Sequence, residues 1–385
     1  MKTQKIRNRM KNIDCLIIII YSDLLLSGGG RETWLNQFVN NKLIKNRFSQ
    51  IDIVSASSSE IHGDKIKFSE KVKVHTIDVK KYTSLIRLFK FILHSRKVVS
   101  SLRSTRQDNA LIISVGSFNE NISAILSKSR SDIVYSWLRG IWEKEISHRH
   151  SKMMTTLIVL VECFFLKRSS MVIANGLDTH NFYKTKGVHS FVVNNGIDLT
   201  RFSAVSPSNE VRLGFVGRLS KEKGIQSLLA AMRMLKFNSN VDLSIIGQGP
   251  ELPSVLKFVD ELAPKAKYLG SISNSLVPKA MNCIDISFHL TGAKVLGGGG
   301  VSHGLLEAMA SGHRIICWDN PIFRQIEGSE GFYFVEEGNL SDLVQKTETA
   351  INDCLSGESS KLEIIRKNLH LYTFDNHVKN FLHLV

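Results

Sequence analysis

The chain has 385 residues, of which 43% are hydrophobic and 22% are charged. This composition is typical of globular proteins and excludes a chain that is disordered throughout. The length exceeds that of one ordinary domain and predicts two domains of roughly 150–200 residues each. The net charge of +15 lies in residues 1–200, which contain 31 Lys and Arg against 16 Asp and Glu, whereas residues 201–385 contain 19 of each kind.

Apolar, β-branched runs alternate with helical patterns along the first half of the chain. This alternation is typical of βαβ units around a parallel sheet. The strands predicted here are residues 15–21, 51–55, 72–77, 110–115, 133–136, 171–174 and 191–194. The helices predicted between them are residues 32–45, 83–102, 119–127, 147–167 and 177–186.

The second half repeats this alternation after a Ser- and Pro-containing stretch, residues 197–210, which we interpret as an interdomain linker. The strands predicted here are residues 211–216, 241–246, 267–269, 284–288, 314–317 and 331–334. The helices are residues 225–235, 250–262, 274–282, 303–310, 340–355, 359–371 and a short amphipathic helix at 374–385. The fold class expected is therefore α/β, with two doubly wound Rossmann-like domains.

The basic N-terminal half predicts an anionic partner, because an excess of positive charge attracts anions at long range. An anionic membrane surface, a phosphate-bearing acceptor and nucleic acid all fit this charge. The chain has no basic motif interleaved with aromatic residues, so we favour the membrane surface and the acceptor and expect no nucleic acid partner. A charge excess that serves only solubility remains an alternative.

Three other features concern the cellular compartment. The five cysteines are scattered without a Cys-x-x-Cys pair, which is typical of reduced thiols in a cytosolic protein. The apolar run at 15–21 is short and lies between Asp14 and Asp23, so we expect a strand rather than a signal peptide. The apolar run 153–166 contains Glu162 and is too short to span a bilayer, which predicts a buried or interfacial helix.

A basic turn follows the predicted strand 211–216. The strand ends at Gly217, and Arg218, Lys221 and Lys223 then place three cations on the next few residues. Ligands of open α/β sheets bind at the carboxyl ends of the strands, so this turn predicts an anion site. An ordinary solvated turn is the alternative.

A second anion site is predicted where the glycine run 297–300 leads into the helix 303–310, because free backbone N–H groups at a helix N-terminus bind anions. Two such sites in one domain indicate a diphosphate, and Glu307 on this helix would accept hydrogen bonds from ribose hydroxyls. An acid that caps its own helix is the alternative for Glu307. This combination is typical of a nucleotide-sugar pocket. The residues expected to bind the nucleotide-sugar, which would be the donor substrate, are Gly299, Gly300, Val301, Ser302 and His303 at the start of this helix.

The two segments resemble family 4 of the retaining glycosyltransferases. That family has Gly-Arg followed by Lys-Gly, here Gly217-Arg218 and Lys223-Gly224, and Glu-Ala-Met-Ala-x-Gly, here residues 307–312. Residues 193–202 resemble the family's Asn-Gly-Ile-Asp connection, and the turn at residues 28–30 lies where the family has a glycine-rich turn. The resemblance implies that Gly29 and Gly30 approach the donor and that Arg218, Lys223 and Glu307 are the catalytic residues.

The resemblance also implies an architecture, the GT-B fold, in which two doubly wound domains face a cleft. Residues 1–203 would form an acceptor-binding domain and residues 204–371 a nucleotide-sugar-binding domain. Residues 372–385 would form a helix that crosses back to the first domain.

Two positions depart from the family pattern. Gly299 stands where the family has its first Glu, which contacts the donor sugar, so backbone N–H groups would replace that carboxylate. Arg139 stands where a histidine is expected, and an arginine cannot act as a general base. Arg139 would contact a donor or acceptor phosphate, or else form a structural ion pair with Glu143 or Glu145.

The activity expected is transfer of a hexosyl group from a nucleoside diphosphate sugar to a glycan or lipid-linked acceptor, with retention of configuration. We expect it in polysaccharide or lipopolysaccharide synthesis, by a cytoplasmic protein held at the inner face of the membrane. No cofactor and no metal are expected, since the sequence contains no Asp-x-Asp motif. A nucleotide-sugar epimerase, a non-catalytic nucleotide-sugar-binding subunit and an RNA-binding protein are the alternatives.

Overall fold

The computed structural model describes residues 10, 13–22, 30–57, 68–79, 84–104, 109–147, 150–205, 208–235, 240–293 and 301–385. The chain divides into two compact units. Of the described residues, unit 1 contains those up to Asn194 and His377–Val385, and unit 2 contains those from Asn195 to Asn376.

Unit 1 is built on a seven-stranded parallel sheet. Its strands are β1 (Cys15–Ile20), β2 (Gln50–Ser57), β3 (Val72–Asp78), β4 (Ala110–Val115), β5 (Ile133–Leu138), β6 (Met171–Ala174) and β7 (Phe191–Val192). They are ordered β3-β2-β1-β4-β5-β6-β7. Every residue of β1, β4 and β5 is buried, because helices cover both faces of a sheet of this kind.

The helices of unit 1 connect these strands. They are α1 (Gly30–Asn40), α2 (Lys42–Arg47), α3 (Ser84–Ser104), α4 (Asn119–Ser127), α5 (Trp142–Ile146), α6 (Lys152–Leu166) and α7 (Leu177–Thr185). Helix α4 packs against both α3 and α6. Arg103, near the end of α3, also donates to the Ser127 carbonyl at 2.6 Å and to the Asp132 carboxylate at 2.7 Å.

Unit 2 has a six-stranded parallel sheet of the same winding. Its strands are β8 (Val211–Val216), β9 (Val241–Ile246), β10 (Ala266–Tyr268), β11 (Ile286–His289), β12 (Arg314–Trp318) and β13 (Tyr333–Val335), in the order β10-β9-β8-β11-β12-β13. Its helices are α8 (Ile225–Met234), α9 (Leu252–Leu262), α10 (Val277–Met281), α11 (His303–Ser311), α12 (Pro321–Arg324), α13 (Leu340–Leu355) and α14 (Ser360–Asn368). The strand order reverses between β8 and β11, which is where a ligand crevice forms in this class of sheet.

The last helix, α15, spans Phe374–Leu382. From His377 onward its residues belong to unit 1. Trp34 Nε1 donates to His377 Nε2 at 2.8 Å, and the Tyr135 hydroxyl donates to the Leu384 carbonyl at 2.6 Å. Phe381 stacks on Trp137 with ring centroids 5.3 Å apart. The end of the chain therefore completes the aromatic core of unit 1.

The predicted α/β class with two doubly wound parallel sheets is confirmed. Two helix predictions were wrong in detail. The helix predicted at 32–45 is interrupted at Asn41, whose side chain accepts from the Leu43 N–H at 2.9 Å and starts a second helix. The helix predicted at 147–167 begins only at Lys152, and a separate short helix, α5, precedes it.

Candidate functional site

The turn after β8 packs tightly against the turn after β9. Gly217 N–H donates to the Ile246 carbonyl at 3.0 Å, and Leu219 N–H donates to the Gln248 carbonyl at 2.8 Å. A Cβ atom at position 247 would overlap the Gly217 carbonyl oxygen. The glycine at position 247 therefore lets two strand-end turns lie in backbone contact, and this contact fixes the course of the basic turn.

The basic turn continues into a short 3₁₀ helix, Lys221–Lys223, and then into α8. Gly224 joins the two with φ +72° and ψ +17°, a left-handed conformation that favours glycine. A Cβ atom at this position would also overlap the Leu290 carbonyl oxygen, just after β11. The turn is thus held against the carboxyl end of β11, at the reversal of strand order.

The two predicted phosphate contacts differ in environment. Arg218 is exposed, whereas Lys223 is half-buried. Burial lowers the pKa of the Lys223 ammonium, because desolvation disfavours the charged form. A bound anion would reverse this effect, so the position of Lys223 favours an anionic ligand.

His289 borders the candidate site and was not predicted from the sequence. It is the last residue of β11, and burial lowers its pKa to about 3, with smaller contributions from His313 and the Lys223 charge. The imidazole is therefore neutral near pH 7 and lies close enough to Lys223 to be affected by its charge. The only signal in the sequence was its place at the end of an apolar run.

Helix α11 begins beside the same turn. The Ser302 side chain caps the helix by accepting from the Leu305 N–H at 3.3 Å. A Cβ atom at position 304 would lie 3.8 Å from the Val216 carbonyl oxygen, at the end of β8. The first turn of α11 and the basic turn after β8 are thus neighbours.

Two more of the predicted donor-binding residues lie at the start of α11. Val301, just before the cap, is buried, and its carbonyl accepts from Asn195 Nδ2 at 3.0 Å. His303 is the first residue of α11.

Glu307 lies in the second turn of α11 and does not cap this helix, since Ser302 does. The alternative in which Glu307 caps its own helix was therefore wrong. Burial raises the pKa of the Glu307 carboxyl, and the nearby Arg201 charge acts in the opposite direction. Arg201 was also missed by the sequence analysis, because it is 106 positions away and only the fold brings it near Glu307.

Arg139, the residue expected to contact a phosphate, follows β5 in unit 1. Its guanidinium lies over the Trp34 ring, 4.7 Å from the centroid, which is cation–π geometry. Glu143, one of its two suggested partners, pairs instead with Lys186 at 3.2 Å. Arg139 lines a pocket of about 130 Å³ together with Tyr21, Arg31, residues 116–120, Gly140 and Trp142.

Several predicted residues lie outside the described part of the chain. These are Gly29, Gly299 and Gly300, and Gly30 is described only as the first residue of α1. Among the described residues, no group of three or more His, Cys, Asp or Glu side chains is arranged to hold a metal ion. No described helix is long and apolar enough to cross a membrane.

A larger depression, of about 780 Å³, lies in unit 2 near β13. Its wall includes Asp319 and Arg324, which form an exposed ion pair at 2.7 Å. None of the residues predicted to bind the sugar donor lines this depression. We therefore place the candidate donor site at the turns after β8 and β11.

Residues 197–368 match the model of the glycosyl transferases group 1 family. A GDP-mannose-dependent alpha-mannosyltransferase of Corynebacterium glutamicum is 29% identical over 117 residues, which are 30% of this chain and 24% of that protein. A phosphatidyl-myo-inositol mannosyltransferase of Mycolicibacterium smegmatis is 27% identical over 147 residues, 36% of this chain and 37% of that protein. The alignments thus cover less than half of these relatives.

Solved structures match nearly the whole chain. Sucrose-phosphate synthase from Thermosynechococcus elongatus has a TM-score of 0.75 at 15% identity and covers 96% of this chain and 98% of its own. HepE from Anabaena, solved with UDP, has a TM-score of 0.70 at 17% identity and covers 96% and 99%. These likenesses confirm the fold class. The group 1 match and the glycosyltransferase relatives support the prediction that the chain is a transferase.

Proposed function

We propose that the chain is a glycosyltransferase that takes its sugar from a nucleoside diphosphate donor. The observation that carries this proposal is the convergence in unit 2 of the basic turn after β8 with the first turn of α11. Arg218 and Lys223 would bind the diphosphate, Ser302 and His303 would lie beside it, and Glu307 would accept from the ribose. The HepE structures with UDP and UDP-glucose support a donor of this kind.

The transfer step requires charge stabilisation on the donor. The bond between the anomeric carbon and the diphosphate oxygen breaks, and its electron pair stays on the diphosphate. The acceptor hydroxyl oxygen forms the new bond to the anomeric carbon, and its proton passes to the departing diphosphate. Arg218 and Lys223 would stabilise the negative charge that develops on this leaving group. Retention of configuration rests on the resemblance to family 4.

We also propose that this chemistry needs no metal and no cofactor, with the cationic turn doing the electrostatic work of a metal ion. Transfer is therefore expected to continue in EDTA. Loss of transfer in EDTA that magnesium or manganese restores would contradict this part of the proposal.

A second element of the proposal is attachment to an anionic membrane surface through helix α6. Its outward face carries exposed apolar side chains, among them Met153 at 83% and Leu160 at 63% exposure. Its one acid, Glu162, is buried and accepts from the Tyr183 hydroxyl at 2.7 Å. Lys152 and Lys167 lie at its two ends. An apolar face with cations at its ends fits the interface of an anionic bilayer.

The acceptor would then be a glycan or a lipid-linked molecule presented at that membrane, as in polysaccharide or lipopolysaccharide synthesis at the inner face of the cell membrane. The lipid in the name of the Mycolicibacterium relative supports an acceptor of this type. The other expected contacts with the membrane are the basic tail with Lys2, Lys5, Arg7, Arg9 and Lys11, which lies outside the described residues, and residues 80–97, which are described from residue 84 onward.

The test is turnover of UDP-glucose and GDP-mannose with and without a lipid extract as acceptor. A transferase releases the nucleoside diphosphate and labels the lipid only when the extract is present. Acceptor-independent change of the donor sugar would indicate the epimerase instead. Donor binding with no turnover under any condition would indicate a non-catalytic subunit.

A further inference from the structure

The pocket beside Arg139 in unit 1 carries an unbalanced charge. Arg31 donates to the Glu120 carboxylate and to the Val115 carbonyl, both at 2.6 Å, so its charge is matched. Arg139 has no ion-pair partner within the described ranges. Burial and the nearby Arg31 charge lower the pKa of Arg139 to about 9. Among the described residues that line it, the pocket therefore holds two cations against one carboxylate.

Polar atoms of the residues that line this pocket also lack partners. Three of their N–H groups are buried without a hydrogen-bond acceptor in the described part of the chain: Arg31 Nε, Arg139 Nη1 and Trp142 Nε1. The Asn119 Oδ1 atom, which is an acceptor, is buried without a donor. Buried donors without acceptors are uncommon in folded proteins, because each loses its hydrogen bonds to water without a replacement. Several of them around one pocket indicate that a ligand supplies the acceptors.

The side chains that carry two of these donors are held in place by contacts with neighbouring aromatic rings. Arg139 is held over the Trp34 ring, and Trp34 is itself fixed by its hydrogen bond to His377. The Trp142 ring stacks on Phe118 with centroids 6.0 Å apart and planes 12° apart. Because the donors are pre-positioned, little conformational entropy would be lost when an anion binds.

We propose that this pocket binds a phosphate group of the acceptor, with Arg139 and Trp142 as its donors. A phosphate presents several acceptor oxygens to donors that come from different directions and matches the planar fork of arginine. This inference rests on the proposed transferase function and makes it more specific, since it assigns the enzyme a phosphate-bearing acceptor. Neutral sugar acceptors would leave the Arg139 charge unpaired and bind poorly.

The test titrates inorganic phosphate and octyl phosphate into protein saturated with UDP, so that the turn in unit 2 is already filled. Arg139→Gln removes the charge, and Trp142→Phe removes one donor while keeping the ring that stacks on Phe118. Arg96→Gln, an exposed arginine of the same unit, is the matched control. We expect Arg139→Gln to weaken phosphate binding about tenfold to a hundredfold, as loss of a charge-assisted hydrogen bond does. Trp142→Phe is expected to weaken it less, and Arg96→Gln not at all.

Octyl phosphate is expected to bind at least as tightly as inorganic phosphate, because the acceptor carries its phosphate on a larger group. Equal phosphate affinity in wild type and Arg139→Gln would overturn the inference, and so would a pocket that accepts inorganic phosphate but excludes octyl phosphate. If the inference fails while UDP still binds, the proposed function stands. If UDP does not bind at all, the proposed function fails whatever the phosphate titration gives.

Discussion

Gly224 lies directly against the carbonyl oxygen of Leu290, so that no side chain fits between the basic turn and the end of β11. Its left-handed conformation, with φ +72°, adds a second reason for glycine. This contact is the means by which the fold brings Lys223 to the crevice between β8 and β11.

We expect Gly224→Ala to lower the free energy of unfolding by about 1–3 kcal/mol, from backbone strain and displacement of the turn. Donor binding is expected to be lost as well. Gly357→Ala is the matched control, because Gly357 has φ +74° with no atom within 4 Å of the new Cβ. Urea denaturation and donor titration measure both effects. Equal destabilisation in the two variants, with donor binding retained in Gly224→Ala, would contradict the role of this contact.

The leaving-group cations give a prediction on rate. Arg218→Ala and Lys223→Ala are each expected to lower the transfer rate about a hundredfold or more, as loss of one transition-state contact does. Lys221→Ala, on the same turn, is expected to leave the rate within about twofold, since the resemblance assigns the diphosphate to Arg218 and Lys223 and not to Lys221. Circular dichroism checks that all three variants fold. Wild-type rates in both Arg218→Ala and Lys223→Ala would contradict the proposal that these two residues bind the diphosphate.

His289 gives a prediction on pH. Because burial lowers its pKa to about 3, the folded state keeps His289 neutral while the unfolded chain protonates it near pH 6.5. Stability is therefore lost as the pH falls from about 6.5 towards 3, by up to about 1.4 kcal/mol per pH unit for this group. In His289→Gln the fall is expected to be shallower, with the remainder due to groups such as His313. Urea midpoints measured from pH 7 to 4 test this.

The exposed His94 supplies the control for that experiment. His94→Gln makes the same substitution at an exposed position and so controls for the exchange of imidazole for amide. An unchanged slope in His289→Gln would mean that His289 takes up its proton in the folded state.

The apolar face of α6 gives a prediction on membrane binding. The protein is expected to bind anionic vesicles, to bind neutral ones weakly, and to dissociate as salt screens its exposed cations. Met153→Ser combined with Leu160→Ser is expected to weaken binding at least tenfold, because each buried apolar side chain contributes about 1.5–3 kcal/mol. Leu276→Ser, 51% exposed in unit 2, is the control. An equal loss of vesicle affinity in the double variant and in Leu276→Ser would mean that α6 does not contact the membrane.

Much of the fold was predictable because it depends on local patterns. The strands Ala110–Val115, Val211–Val216 and Val241–Ile246 were predicted with the observed bounds, since a buried parallel strand is a continuous apolar run. The break at Asn41 was missed because it depends on one side-chain cap inside an otherwise helical pattern.

The candidate site was only partly predictable. The turn at Gly217–Gly224 and the entrance of α11 were visible as glycine and cation patterns. His289 and Arg201 were not, because their relation to Lys223 and Glu307 depends on strand order and tertiary packing. The pocket beside Arg139 was missed for the same reason, since Arg31, Asn119 and Trp142 come from three separate connections.

The most direct test of the proposed donor site is a calorimetric titration of UDP-glucose and GDP-mannose into the wild-type protein and into Arg218→Ala. We expect at least one of the two to bind the wild type, and Arg218→Ala to bind it at least about tenfold more weakly. Failure of both to bind the wild type, or equal affinity in Arg218→Ala, would contradict a nucleoside diphosphate sugar site at the turn after β8.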